Sequence, residues 1–214
     1  MFLFVVSCKG NGDDNLPLEP TPTLVQEVIK SDPVLYEEPV QYKYGTVNLA
    51  EADILFNGGF CSQALDIYLE GIIVSGPIQR QAAILGAARC YVQINMPEKA
   101  IDYLVFLLDR DIDKTTRARS LYMLGVTQLE LGLDNDAQSS FWSYISLGGA
   151  LSPYARMHVS SLLANDGDYA PALLEVEKAL DSDDLPLSVQ LSGLNLLADI
   201  HAKSGSINDA ISVY

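Results

Sequence analysis

Residues 119–145 read RSLYMLGVTQLELGLDNDAQSSFWSYI, and the fold is decided by how this stretch divides. Its first part sets Leu121, Leu124, Gly125, Gln128 and Leu129 on one face of a helix, and its second does the same with Ala137, Phe141, Tyr144 and Ile145. Between them Leu131-Gly132-Leu133-Asp134 interrupts the period with a glycine, the residue that ends a helix at least conformational cost. Two helices joined by so short a turn approach closely only where small side chains face each other. Gly125 and Ala137, twelve residues apart, meet that need. Gln128 and Phe141, three and four positions further on, lie on the same faces and fill the space beside them.

The arrangement recurs in both directions along the chain. Ala64, Ala100, Ala137, Ala172 and Ala210 stand 36, 37, 35 and 38 residues apart. Twelve residues before each is a small residue: Ala52, Ala88, Gly125, Ser160 and Ala198. Three after that come Leu55, Tyr91, Gln128, Leu163 and His201, and four after each alanine come Tyr68, Leu104, Phe141, Val176 and Tyr214. Each predicted intra-unit turn carries Gly or Asn at the stop, as in Asn57-Gly58-Gly59-Phe60 and Ile94-Asn95-Met96-Pro97. Asp or Ser follows in several and is expected to cap the next helix. Ser75-Gly76-Pro77, the runs 148–153 and 181–186, and the charged run 109–115 separate the units.

Five units in register, over residues 46–214, resemble a tetratricopeptide-repeat (TPR) protein. Residues 119–145 carry the best match, and the stretches around Ala88 and Ser160 follow closely. Glu51 and Arg156 depart from it, standing where the family often has apolar residues. The resemblance implies an all-α, right-handed superhelical solenoid of antiparallel helix pairs, each unit stabilised by its neighbours. The fifth unit stops at Tyr214, within its second helix. Apolar surface is expected to be open there, and the array to continue beyond it.

The resemblance also implies a concave face lined by the first helices. The matching positions include Leu85, Arg89 and Val92 in the second unit and Arg119, Tyr122, Val126 and Glu130 in the third. The fourth unit offers Tyr154, Met157, Ser161 and Asn165. Arg89, Arg119, Tyr122, Tyr154 and Asn165 are the candidate groove contacts, with the two tyrosines as anchors because large aromatic side chains dominate interface energetics. Family members that grip the carboxylate end of chaperones use a Lys/Asn/Arg clamp, and these positions lack that set.

Composition narrows the function from the other side. A net charge of -15, from 28 Asp and Glu against 13 Lys and Arg, excludes a nucleic-acid binder, which needs clustered basic residues to meet phosphates. Catalytic, cofactor and metal sites are all absent from the sequence reading. The adjacent acids at 109–111 and 181–184 fall between units as solvated loop residues, and no phosphate loop, nucleophile elbow or zinc-binding helix motif occurs. His158 and His201 stand apart and read as structural. Cys61 and Cys90 read as buried thiols, a bridge between them being the alternative. Trp142 reads as core between units.

The N-terminus differs in character. Residues 2–6 are apolar, and Val5-Val6-Ser7-Cys8 resembles the end of a bacterial lipoprotein signal, in which the Cys8 thiol would be lipidated. The basic opening of such a signal is missing and the apolar run is short, so either the true start lies upstream or the match is accidental. Residues 1–8 are thus a partial signal-like segment. Residues 9–45, rich in Gly, Asp, Pro and Thr, are expected to be a flexible tether. Acyl chains on Cys8 would be the only membrane attachment, and the chain would sit outside the cytoplasm.

Two functions follow as expectations. One is a non-catalytic protein-binding scaffold of the cell envelope, with a protein or peptide, or a C-terminal domain of the same protein, on the concave face. The other is the N-terminal superhelical region of a peptidoglycan lytic transglycosylase, whose catalytic domain would lie beyond residue 214 and whose ligand would be peptidoglycan.

Overall fold

The computed structural model describes residues 45–182 and 185–214. Cys8, the segment 1–8 and the stretch 9–44 lie outside the described residues. The described helices, in order, are α1 (Leu49–Asn57), α2 (Cys61–Val74), α3 (Pro77–Gln93), α4 (Pro97–Leu108) and α5 (Lys114–Glu130). After them come α6 (Asp134–Ser146), α7 (Ser152–Asn165), α8 (Tyr169–Leu180), α9 (Leu187–Lys203) and α10 (Ile207–Ser212). Each packs on the next in sequence, and the first helices α1, α3 and α5 also touch in succession, as do α7 and α9. The result is an all-α solenoid of helix pairs.

The small-residue pairs lie where the spacing puts them. Ala52, Ala64, Ala88, Ala100, Ala137, Ser160 and Ala172 are fully buried, as are Leu104, Phe141 and Val176 beside them. Close approach is real at Gly125, where a β-carbon would come within 2.8 Å of the Phe141 ring. At the fourth pair Ser160 Oγ donates to the Ala172 carbonyl at 2.7 Å, so a hydroxyl occupies the gap and is satisfied. The fifth pair is looser: Ala198 is buried, while Ala210 on the six-residue α10 is only partly so and Tyr214 is 85% exposed.

All five intra-pair turns close in the same way. Gly59, Asn95, Gly132, Gly167 and Gly205 have φ between 61° and 88°. The next residue donates its N–H back to the carbonyl of Leu55, Tyr91, Gln128, Leu163 or His201 at 2.8–2.9 Å. The left-handed residue itself donates to Phe56, Val92, Leu129, Ala164 or Ala202. This double closure satisfies the orphan carbonyls of the first helix and reverses the chain.

The expected capping by the Asp and Ser residues after these stops does not occur. Asp168 and Ser206 occupy the position before α8 and α10 with ψ near 60°, and neither side chain accepts a cap hydrogen bond. The backbone closure fixes that ψ, which aims the side chain away from the first N–H groups. The side-chain cap appears instead in the charged run between units: Asp113, with ψ 158°, accepts from Thr115 N and Thr116 N at 2.9 and 3.0 Å.

Trp142 requires a second correction. It is 39% exposed. Phe141 and Tyr144 take the inward positions of α6, and position 142 is turned about 100° from Phe141, away from the partner helix.

Candidate functional site

The first helices frame a cleft of about 700 Å³ between α3, α5 and the loop 147–151. One wall is a stripe of α5 at helical spacing: Thr115, Ala118, Arg119, Tyr122 and Met123. Facing it, α3 offers Leu85 and Arg89, one turn apart. Lys114, the exposed first residue of α5, also lines it.

The third side is held by packing. Tyr144 Oη accepts from Leu151 N at 2.8 Å, and a β-carbon on Gly149 would come within 2.3 Å of the same ring, so the Gly148-Gly149 pair lets the loop lie over it. Tyr122 sits edge-on to Tyr144 and Phe141, with ring centroids 5.3 and 5.9 Å apart. His158 stacks on Phe141 at 4.8 Å, and burial lowers its pKa, which keeps the imidazole neutral. Burial raises the Tyr122 pKa, with the neighbouring Tyr144 and Tyr154 adding to the effect.

Of the candidate groove contacts, Arg89, Arg119 and Tyr122 are brought together in this cleft. Tyr154 is partly buried on α7 and Asn165 is exposed at its end, and neither lines the cleft. Arg89 is partly engaged, 3.7 Å from Asp53 and over the Phe56 ring at 3.9 Å. Sequence reasoning missed Lys114 and the loop 147–151. It treated both as inter-unit breaks, although Gly148-Gly149 was a visible signal of close backbone approach.

Arg156, one of the departures from the family pattern, has a structural role. It pairs with Glu175 of α8, whose carboxylate is 5% exposed and also receives Lys178 Nζ at 2.7 Å. Cys61 and Cys90 are buried free thiols, with Cys61 Sγ donating to Gln93 Oε1 at 2.9 Å. Burial, and then the neighbouring Cys61, push the Cys90 thiol up to about 12. Among the described residues, no three His, Cys, Asp or Glu side chains are grouped as metal ligands, and no helix is long and apolar enough to cross a membrane.

No protein-family model matches the chain, and no curated protein matches it in sequence. Solved structures do. The chain is similar to YrrB, a TPR protein with an unusual peptide-binding site, at 18% identity and a TM-score of 0.61, covering 90% of this chain and 92% of that one. It is similar to MamA at 17% identity and a TM-score of 0.63, covering 76% and 89%. The TPR-like repeats of a putative kinesin light chain from Podosopora anserina match at 13% identity and a TM-score of 0.62, covering 77% and 88%. With these solenoids beside five closures in register, the fold of this chain is that of a tetratricopeptide-repeat array.

Proposed function

We propose that this chain is a non-catalytic scaffold that holds a partner protein or peptide against its concave face. The observation that carries the reading is the cleft itself: five stacked helix pairs leave a recess of about 700 Å³ with a rigid aromatic wall and cationic edges. A recess of that size, apolar inside with few polar groups, is the usual form of a recognition site. The likeness to YrrB, a TPR protein with a peptide-binding site, supports the same reading. Photo-crosslinking tests it. A benzophenone amino acid at Arg119 or Thr115 is expected to capture a partner from the native host that the same group at Trp142, outside the cleft, does not. Equal capture from both places would remove the case for the concave face.

The cell-envelope setting is a further part of the proposal and rests on Val5-Val6-Ser7-Cys8. Expressed from its native gene, the protein should carry a thioether-linked lipid on Cys8, read as a mass increase on the first mature residue. An unmodified Cys8 would rule out the anchor and leave the scaffold reading standing.

A further inference from the structure

Resting on the concave-face reading, we propose that the cleft selects an extended acidic segment of a partner protein, with carboxylates on Arg119 and Lys114 and an apolar side chain against Tyr122 and Leu85.

The argument is one of charge placement. Acids outnumber bases 28 to 13 in the whole chain, yet the residues lining the cleft include three bases and no acid. Lys114 and Arg119 have no ion-pair or hydrogen-bond partner among the described residues, although the chain has acids to spare. Elsewhere Arg156, Lys178 and Lys203 each meet a carboxylate within the fold. Two uncommitted cations on the wall of a recess focus a positive potential there, against the negative field of the rest of the molecule.

That contrast also selects the class of ligand. A nucleic acid or an anionic membrane would meet the whole acidic surface and be repelled before reaching the cleft. A peptide carrying two or three carboxylates presents its charge only where the cations are. Arg119 can take a carboxylate through two parallel N–H bonds, and Lys114 adds a second point charge on the same helix. In the same cleft Leu85, Tyr122, Met123, Leu147 and Leu151 give apolar surface for one side chain of the segment. An extended backbone suits a recess walled by two helix stripes and a loop.

The test uses the full chain with fluorescently labelled octapeptides of Glu, Leu and Tyr, beside copies in which every Glu is replaced by Gln. The acidic peptides are expected to bind at least tenfold more tightly, and to weaken steeply between about 50 and 300 mM salt, since screening acts on exposed charges. Arg119→Glu with Lys114→Glu should abolish binding of the acidic set while leaving the melting temperature unchanged. Equal binding of the Gln peptides, with loss on Tyr122→Leu, would overturn the acidic preference and keep the concave face as a binding face. Failure of both peptide sets would count against both readings. A dimer in sedimentation that the double charge reversal dissolves would identify the occupant as a second copy, and so overturn the proposal.

Discussion

The Tyr68 ring occupies the place where a β-carbon on Gly86 would stand, 2.3 Å from that point, and its hydroxyl donates to Asp53 at 2.6 Å. Tyr68 is 2% exposed, so it has nowhere to retreat. Gly86→Ala is expected to destabilise the protein by about 1–3 kcal/mol through overpacking. Gly132→Ala should cost about 1 kcal/mol for a different reason, its φ of 69° with open space around it. Urea unfolding of both variants, with Ala82→Gly at an exposed position of α3 as a control for helix propensity, separates the two causes.

Glu175 brings a buried carboxylate into the α7–α8 contact, and its two cations are not equivalent. Arg156 is 24% exposed and Lys178 is 46% exposed. Removing the more buried partner leaves the buried carboxylate with only the half-exposed Lys178, so Arg156→Ala should cost about 2–3 kcal/mol, toward or below the low end for breaking a buried pair. Lys178→Ala should cost under about 1 kcal/mol, as exposed pairs do. Equal losses in denaturant midpoint would show that the two cations share the carboxylate equally.

His158 gives stability a dependence on pH. Its folded pKa lies below the unfolded value of about 6.5 because burial disfavours the charged ring. The unfolded chain therefore binds more protons as pH falls below about 6.5, and stability should decline from there toward the folded pKa. Well above about 6.5, where both states hold the ring neutral, His158 contributes no slope. Melting temperatures from pH 5.5 to 8 should show the decline in the wild type and a flatter profile in His158→Phe, which keeps the stack on Phe141.

The Cys90 thiol, buried and pushed up to about 12, should resist alkylation at pH 8 in the folded protein. Unfolding in denaturant should expose it to full labelling within the same time. Peptide mapping reads each site separately; rapid labelling of Cys90 in the native state would show that α3 opens locally.

Trp142 is the only tryptophan, so its surroundings are directly observable. At 39% exposure its emission should be red-shifted and readily quenched by iodide or acrylamide. A blue-shifted, protected emission would restore the reading of this ring as core between units.

The architecture was legible because its determinants are local and repeated. A small residue, a stop and a large residue at fixed spacings each act within one helix pair, and five copies average out individual departures. Trp142 was misread because residue size alone does not choose a face, and Phe141 already held the inward one. The caps were misread because the five stops fix the backbone of the following residue, which residue identity does not reveal. The cleft was legible only in part. Arg89, Arg119 and Tyr122 share first-helix positions that the repeat predicts, whereas Lys114 and the loop 147–151 reach it through spacer segments, whose course no periodicity encodes.

The succession of contacts, each helix resting mainly on the one before and after it, gives the molecule the mechanics of a spring. Tension applied along it would be borne by every junction in series, with no strand pairing among the described residues to lock the assembly. Extension should begin at whichever junction between neighbouring hairpins buries least and proceed one hairpin at a time. A partner seated across α3 and α5 would clamp the middle of the rod and change its compliance, so the load at which it yields would report occupancy.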